Sequence, residues 1–383
     1  MRSLERGRKF ESLDASIGRI AYAYGFTNAP VTLSRKAVAS TTTTRAGEEL
    51  DIDTAASLAL IAASARVPQP IVTQPPAVTA LAPTQTWGSS RRSNGTLLSF
   101  AILPTRQAVA NALVVKTVLS VAELAEFKDL SVFVSSIGDG ESRKRFTREL
   151  GNFFRKNANA LSSEVRHVAA HDPDKAYRAL LAEKDALVER APRPIDYLSE
   201  SSRKVMLDTL ALFESVGIPY AIEPKIAGNP GVHAELLFVI EGTDKHGQRV
   251  KVGSGGRYIR EEKGAQGEPA VSMSIHVPET VYPEEPRDEP LCFVVHVGDA
   301  GKLRTFGALE ALCRANVDVW QALMAQSLRD QMQAAQEAHA KYIAIIGQRE
   351  ALDNTVIIRT VSSQLQTIIP LDKLASFMAS RAR

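Results

Sequence analysis

Apolar residues recur at helical spacing from about residue 4 to 25, and the run stops at Gly25, a residue suited to closing a helix. The extended stretch FTNAPVTLSR follows. A second helical pattern, rich in Ala, Val and Leu, covers Leu103 to Phe127, and LSVFVSSIG after it reads as a buried strand. That strand opens into SRKRFTRELGNFFRKN (Ser142 to Asn157), a helix whose Phe146, Leu150, Phe153 and Phe154 form an apolar stripe. Helical spacing then runs to about Arg190, where APRPID interrupts it. DYLSESSRKVMLDTLALFESVG is an amphipathic helix with Ser199 as its N-cap and Gly217 at its end. AELLFVIEG (Ala234 to Gly242), the polar turn TDKHGQ and RVKVGSGG together predict a hairpin. Val67 to Asn94 is too rich in Pro, Ser and Thr for a regular helix and reads as strands joined by turns.

The pattern breaks most clearly at 278–289, within PETVYPEEPRDEP, which is acidic and proline-rich and marks a linker. Beyond it, LCFVVHVG, VDVWQAL and KYIAIIG read as strands separated by the helices GKLRTFGALEALCRAN and SLRDQMQAAQEAHA. NTVIIRTVSSQLQTIIPLDKLASFM adds two strands and a terminal helix. Strand and helix alternating at this spacing predict a small parallel α/β sheet over 290–383.

Composition narrows the class. A chain of 383 residues, 44% hydrophobic and 23% charged, can form two or three domains with proper cores. No apolar run reaches the roughly 20 residues that span a bilayer, and MRSLERGRKFESLD has no signal-peptide core, so a cytoplasmic protein without membrane contact is expected. Cys292 and Cys313 lack metal spacing and predict free buried thiols. His167 and His171 have helical spacing, yet no Glu lies between them as in a zinc hydrolase, and no metal site is expected. No Ser, His and Asp fall in a nucleophile-elbow context. The net charge of +3 does not by itself announce a nucleic-acid binder. The helix around Arg143, Lys144, Arg145, Arg148, Arg155 and Lys156 is the local exception, suited either to RNA or to plain solvation.

KVGSGGRY (Lys251 to Tyr258) raises a phosphate loop as a possibility, but its glycines follow a strand and precede no helix, so a bulge or a close backbone approach is the reading.

A resemblance sharpens these expectations. QSLRDQMQAAQEAHAKYIAIIGQREALDNTVIIRTVSSQLQTIIPLDKL (Gln326 to Leu374) resembles the anticodon-binding domain of histidyl-tRNA synthetase, with Gly347 and Glu350 in its turn, Arg359 at the next strand's charged end, and Leu371, Asp372 and Leu374 in its closing motif. Upstream, YGFTNAP (Tyr24 to Pro30) is similar to the family's motif 1, and GSGGRY to its Gly-Gly-Arg-Tyr arm. The resemblance implies an α+β class II synthetase-like core with an antiparallel sheet over 1–277, a helical insertion at about 140–190, and a small α/β anticodon-binding-like domain over 290–383. It also implies a dimer interface at Pro30 and a residual pocket of Gly255, Gly256, Arg257, Tyr258 and His233.

The catalytic residues of that family are missing. In TWGSSRRSNGTLLSF, Gly95 and Phe100 remain, Gly88 stands at the catalytic arginine, and Leu98 and Ser99 replace an Arg-Glu pair, with Arg91 and Arg92 as the only nearby substitutes. AGNPGVHAELLF holds Asn229, Pro230 and Gly231 where an arginine and tyrosines are expected, and Pro278 and Glu279 stand at the motif 3 arginine. Removing one transition-state contact costs roughly 3 to 4 kcal/mol, and contacts that act as a unit cannot be replaced singly. The expectation is therefore a paralogue with no catalytic residues and no cofactor, binding tRNA or other RNA through Arg329, Lys341, Arg349 and Arg359, extended by Arg143, Lys144 and Arg148, with no role on DNA. The alternatives are a working histidine–tRNA ligase with a rearranged site, using ATP and Mg, and a regulatory partner of ATP phosphoribosyltransferase.

Overall fold

Two sheets organise the chain. The computed structural model describes residues 12–28, 51–64, 78–85, 95–183, 185–229, 231–259, 269–279, 289–325 and 327–382. Pro30, Gly88, Arg91, Arg92 and Pro230, together with most of the 278–289 segment, lie outside the described residues. The larger sheet contains β1 (Thr27–Asn28), β2 (Val78–Gln85), β3 (Thr96–Leu103), β4 (Lys128–Gly138), β5 (Tyr220–Ile222), β6 (His233–Thr243), β7 (Arg249–Ile259) and β8 (Pro269–Val277). Their order is β1-β2-β3-β8-β7-β6-β4-β5. The centre is antiparallel, whereas β1 pairs with β2 and β5 with β4 in parallel, so the antiparallel expectation holds for the interior and not for the two edges.

Helices cover both faces of this sheet. Every residue of β3 is buried. Leu98, Phe100 and Ile102 meet helices Leu13–Ala23 and Ala108–Leu124 on one face, and Leu97, Ala101 and Leu103 meet helix Ile52–Ser64 on the other. The helical pattern read from Leu103 begins only at Ala108, because Leu103 completes β3 and Pro104 disfavours a helical residue before it. The single helical region read up to Arg190 is three helices, Gly140–Lys156, Ser163–His171 and Pro173–Glu183, packed around Phe146, Leu150, Phe154 and Tyr177. Helix Glu200–Ser215 begins at the Ser199 cap, whose side chain accepts the Ser202 N–H, and Gly217 follows it at φ +68°.

The second sheet holds β9 (Cys292–His296), β10 (Val319–Gln321), β11 (Tyr342–Ile346), β12 (Thr355–Thr360) and β13 (Gln366–Pro370), in the order β10-β9-β11-β12-β13. Only β10, β9 and β11 are parallel. β12 and β13 run antiparallel, since residues 347–354 are fewer than the dozen or so needed for a parallel crossover, and 361–365 form a hairpin. The expected all-parallel sheet is thus mixed. Both cysteines are free, with Cys292 buried and Cys313 half-buried.

One buried cluster joins the sheets. It runs from Ile17, Phe100 and Val118 through Phe306, Leu309 and Leu312 to Val294 and Ile346. Lys116 Nζ meets Glu310 Oε2 at 3.0 Å, the Tyr22 and Trp320 rings lie 5.8 Å apart, and Gln107 Nε2 donates to the Met324 carbonyl at 3.4 Å. Phe306→Ala is expected to cost about 3 to 5 kcal/mol. Because Phe306 serves the shared cluster, hydrogen exchange should accelerate in β3 and in β9 together; loss of protection in the second sheet alone would show two independent cores.

Candidate ligand pocket and nucleic-acid interface

The β6–β7 hairpin carries the glycine cluster, and its neighbours explain the residue type. A Cβ on Gly255 would stand 2.1 Å from the Ser272 carbonyl oxygen, and one on Gly256 would stand 2.4 Å from that of Leu236. The strands on either side approach too closely for any side chain. Opposite them, a bulge at Glu235, whose φ is +55°, shifts β6 against both neighbours, and Ser136 Oγ donates to the Glu235 carbonyl at 2.9 Å. Nothing in the alternation of β6 announces that bulge.

Alternation along β7 sends Arg257 and Tyr258 to opposite faces. Arg257 is buried against the start of helix Ala108–Leu124, where Nε donates to Asn111 Oδ1 at 3.0 Å, Nη1 to the Thr105 carbonyl at 3.2 Å, and Nη2 to the carbonyls of Gln107 at 2.7 Å and Arg106 at 3.3 Å. Burial pulls its pKa down to about 10, so it stays charged at neutral pH. Each guanidinium nitrogen already has an internal acceptor. Arg257 is therefore a clamp on the backbone, and it does not share a pocket with Tyr258 and His233 as the sequence reading grouped them.

Tyr258 and His233 lie on the face under helix Ile52–Ser64, with ring centroids 4.9 Å apart. His233 Nδ1 accepts the Asn229 N–H at 3.0 Å, which puts the proton of the neutral ring on Nε2. Burial lowers its pKa to about 4. Asn229 closes the turn from its side: its carbonyl accepts the His233 N–H at 2.7 Å and its Oδ1 accepts the Gly231 N–H at 2.9 Å. Where an arginine and tyrosines were expected, the chain thus has a turn-forming Asn and Gly.

The sequence reading missed the residues that complete this face. Lys251 Nζ meets Asp53 Oδ2 at 2.8 Å, and Ser254 Oγ donates to the same oxygen at 2.7 Å. Ser274 Oγ bonds Ser99 Oγ at 2.7 Å and Ser57 Oγ at 3.1 Å, and donates to the Asp53 carbonyl at 3.1 Å. Burial works against the Lys251 charge, but Asp53 and Asp51 outweigh it and raise the pKa; burial works against the Asp51 charge too, and Thr54 and Lys251 outweigh it and lower the pKa. With His233 neutral, two carboxylates face one ammonium among the described residues. Serines on the inward positions of β3, β7 and β8 were the available sequence signal, hidden because Asp53 reaches them from about 200 residues away. Among the described residues, no group of three His, Cys, Asp or Glu side chains could hold a metal.

A second surface lies on helix Gly140–Lys156. Its N-cap, Asp139, receives the Ser142 N–H and Oγ, both at 2.8 Å, the Ser199 Oγ at 2.8 Å and the Ser201 Oγ at 3.1 Å. Burial would raise its pKa, but these bonds override burial and hold it at about 2. Two helix starts are thereby tied together, which fixes the basic helix on the core. Gly140, Arg143, Lys144, Thr147 and Arg148 line an open groove of about 580 Å³. Arg148 is 73% exposed beside Glu149 at 3.4 Å, and Arg145 is paired with Glu141. His167 and His171 are exposed, with their rings tilted against each other 5.1 Å apart.

The other basic candidates fall into two groups. Arg329 opens helix Leu328–Glu337, and Arg349, paired with Asp353 at 3.5 Å, follows the carboxyl end of β11. Lys341 precedes β11, and Arg359, bonded to Gln364, pairs in register with Ile343, so these two occupy the opposite end of the sheet. The four do not make one patch.

Two expectations follow from this geometry. Arg257→Met leaves buried acceptors without donors, at about 1 to 3 kcal/mol each, so urea unfolding should show a loss of several kcal/mol. His233 has a folded pKa below its unfolded value, so the unfolded state binds more protons between pH 6.5 and 4, and stability should fall as pH drops through that window, by about 3 kcal/mol for this residue. Asp174 and Glu235, raised chiefly by burial, oppose the trend. Comparing urea midpoints of wild type and His233→Gln at pH 7.5 and 4.5 isolates the histidine, and parallel slopes would refute the assignment.

Comparison with known proteins bears on both halves. Residues 292–381 match the family described as anticodon binding domain. The histidine–tRNA ligase of Geobacillus sp. (strain WCH70) is 24% identical over 267 residues, 66% of this chain and 62% of that protein. That of Thermosynechococcus vestitus is 24% identical over 286 residues, 73% of this chain and 67% of that protein. Apo histidyl-tRNA synthetase of S. aureus superposes with a TM-score of 0.49 at 17% identity, covering 99% of this chain and 100% of that one. The aligned region thus spans a little under two thirds of the first of these ligases. The relatives and the matched C-terminal segment point the same way: over about two thirds of its length the chain is similar to histidine–tRNA ligases, and residues 292–381 match an anticodon binding domain.

Proposed function

We propose that this chain binds tRNA without activating an amino acid. The observation that carries the reading is the commitment of its sheet cations: Arg257 is bonded to backbone carbonyls and Lys251 to Asp53. Activation joins a carboxylate to the α-phosphate of ATP and expels pyrophosphate, and it depends on cations preorganised against the charge that develops. Among the described residues beneath helix Ile52–Ser64, the carboxylates of Asp51 and Asp53 face the one ammonium of Lys251. Glu279, exposed after β8, adds a carboxylate where a cation would serve the triphosphate. The matched anticodon-binding domain and the groove of Arg143, Lys144 and Arg148 supply what RNA binding needs, since phosphate contacts from Lys and Arg carry most of the affinity. A two-fold dimer through the segment containing Pro30 completes the proposal, and light scattering at micromolar concentration tests it, a monomer being the contrary result.

Histidine-dependent ATP–pyrophosphate exchange should be absent from the purified protein; a clear signal would establish the ligase alternative. Bulk tRNA should be retained on filters at low salt and released steeply as salt rises. Reversing two groove charges, Arg143→Glu with Lys144→Glu, should weaken retention by roughly tenfold and lower the salt slope. The pair Arg329→Glu with Arg349→Glu reports the C-terminal domain in the same assay. Retention that is absent at low salt, or unmoved by either pair, would transfer the function to a protein partner.

A further inference from the structure

The second sheet has a topological switch point that the RNA reading does not use. The parallel strands β9 and β11 end side by side; the chain leaves β9 for β10 on one side and leaves β11 for β12 on the other. In open sheets with parallel strands, ligands settle in the crevice at such a divergence, outside the carboxyl ends of the strands. Helix Gly298–Arg314 starts directly above it: a Cβ on Gly301 would stand 2.2 Å from the Ile346 carbonyl oxygen.

Three observations at this point have no internal explanation. The N-cap of the helix is Val297, which offers no side-chain acceptor, and the N–H groups of Gly298, Asp299 and Ala300 have no acceptor among the described residues. His296, the last residue of β9, is only 5% exposed, yet its Nδ1 is buried without a hydrogen-bond partner, and its ring lies within electrostatic reach of Lys302 and Asp299 in the first turns of the helix. Lys302 is half-buried and makes no ion pair among the described residues. Gln331 fixes the histidine backbone, donating Nε2 to the His296 carbonyl at 3.0 Å and accepting its N–H at 2.9 Å through Oε1. Arg329 and Arg349 flank the same end of the sheet, countered by Asp299, Asp330 and Asp353, while Glu350 is turned inward to accept the Gly347 N–H at 3.0 Å.

We propose that this crevice is a binding site for a phosphate group, held by the free N–H groups opening helix Gly298–Arg314, by the ammonium of Lys302 and by the ring of His296. A helix start with free N–H groups concentrates partial positive charge. An anion there would also answer the burial that lowers the pKa of Lys302 and brings His296 to about 4. Phosphate could arrive free, on a nucleotide or on the end of an RNA chain, and the site does not depend on the tRNA reading.

Inorganic phosphate is the probe. Titrated into the full-length protein and followed by calorimetry and by the NMR signals of the His296 ring, it should bind saturably at millimolar or tighter concentration and raise the His296 pKa. Lys302→Gln should weaken binding at least tenfold. Val297→Ser, which supplies a competing hydroxyl cap to the same N–H groups, should weaken binding while raising the melting temperature, so its effect cannot be confused with misfolding. No saturation by 20 mM phosphate, the same response to chloride at matched ionic strength, or unchanged affinity in both variants would each overturn the site. Adenosine monophosphate and a short oligoribonucleotide with or without a 5′-phosphate then separate the sources: preference for the phosphorylated oligonucleotide assigns an RNA end, and equal affinity for free phosphate assigns a small anion. Loss of tRNA retention with phosphate binding intact would sink only the proposed function, and the reverse result only this site.

Discussion

Arg257 is the constraint on which the larger sheet depends. A guanidinium in an apolar interior is costly unless it is hydrogen-bonded, and here each of its three nitrogens donates, to Asn111 or to the carbonyls of Thr105, Arg106 and Gln107. Those carbonyls belong to the turn between β3 and helix Ala108–Leu124, which carries no side-chain cap of its own. One charged group therefore ties down this turn where the helix leaves the sheet. From that helix, Asn111 Nδ2 donates on to Thr209 at 2.8 Å, carrying the restraint into helix Glu200–Ser215.

The glycines beside it answer the same demand for closeness. With β7 drawn against β6 and β8 at Gly255 and Gly256, Arg257 reaches one face while Ser254 and Tyr258 reach the other. Lys116, on the helix that Arg257 clamps, reaches Glu310 on the helix above the second sheet. These contacts run from β7 toward β9 alongside the single apolar cluster that the two sheets share.

Much of this was legible in the sequence because local chemistry set it. The Ser199 cap, the Gly217 stop and the Phe146–Leu150–Phe154 stripe are decided by neighbours within a turn or two. The β6–β7 hairpin follows from alternation and its polar turn. The mixed second sheet was misread because strand direction depends on connection length, which apolar runs do not report. The partners of Arg257 and Asp53 were invisible for another reason: Thr105 and Ser254 lie about 150 and 200 residues away from them. The Gly-Gly-Arg-Tyr string could therefore be placed in the fold, and its arginine could not be assigned to a pocket or to a backbone until the opposing turn was known.

Those internal partners are also what the proposed binding role rests on. Catalysis requires cations that are held in place yet still have donors facing the substrate, because stabilisation must increase as charge develops. A guanidinium bonded to the fold through each of its nitrogens, as Arg257 is, supplies rigidity. At the Gly140–Lys156 surface the balance is the reverse: Arg148 and Lys144 stand on a helix fixed by Asp139 while their heads remain in solvent. Such groups suit a polyanion, whose affinity comes from displaced counterions and tolerates loose geometry. The proposed tRNA-binding role rests on this contrast between Arg257, held inside the fold, and Arg148 and Lys144, exposed on a helix surface.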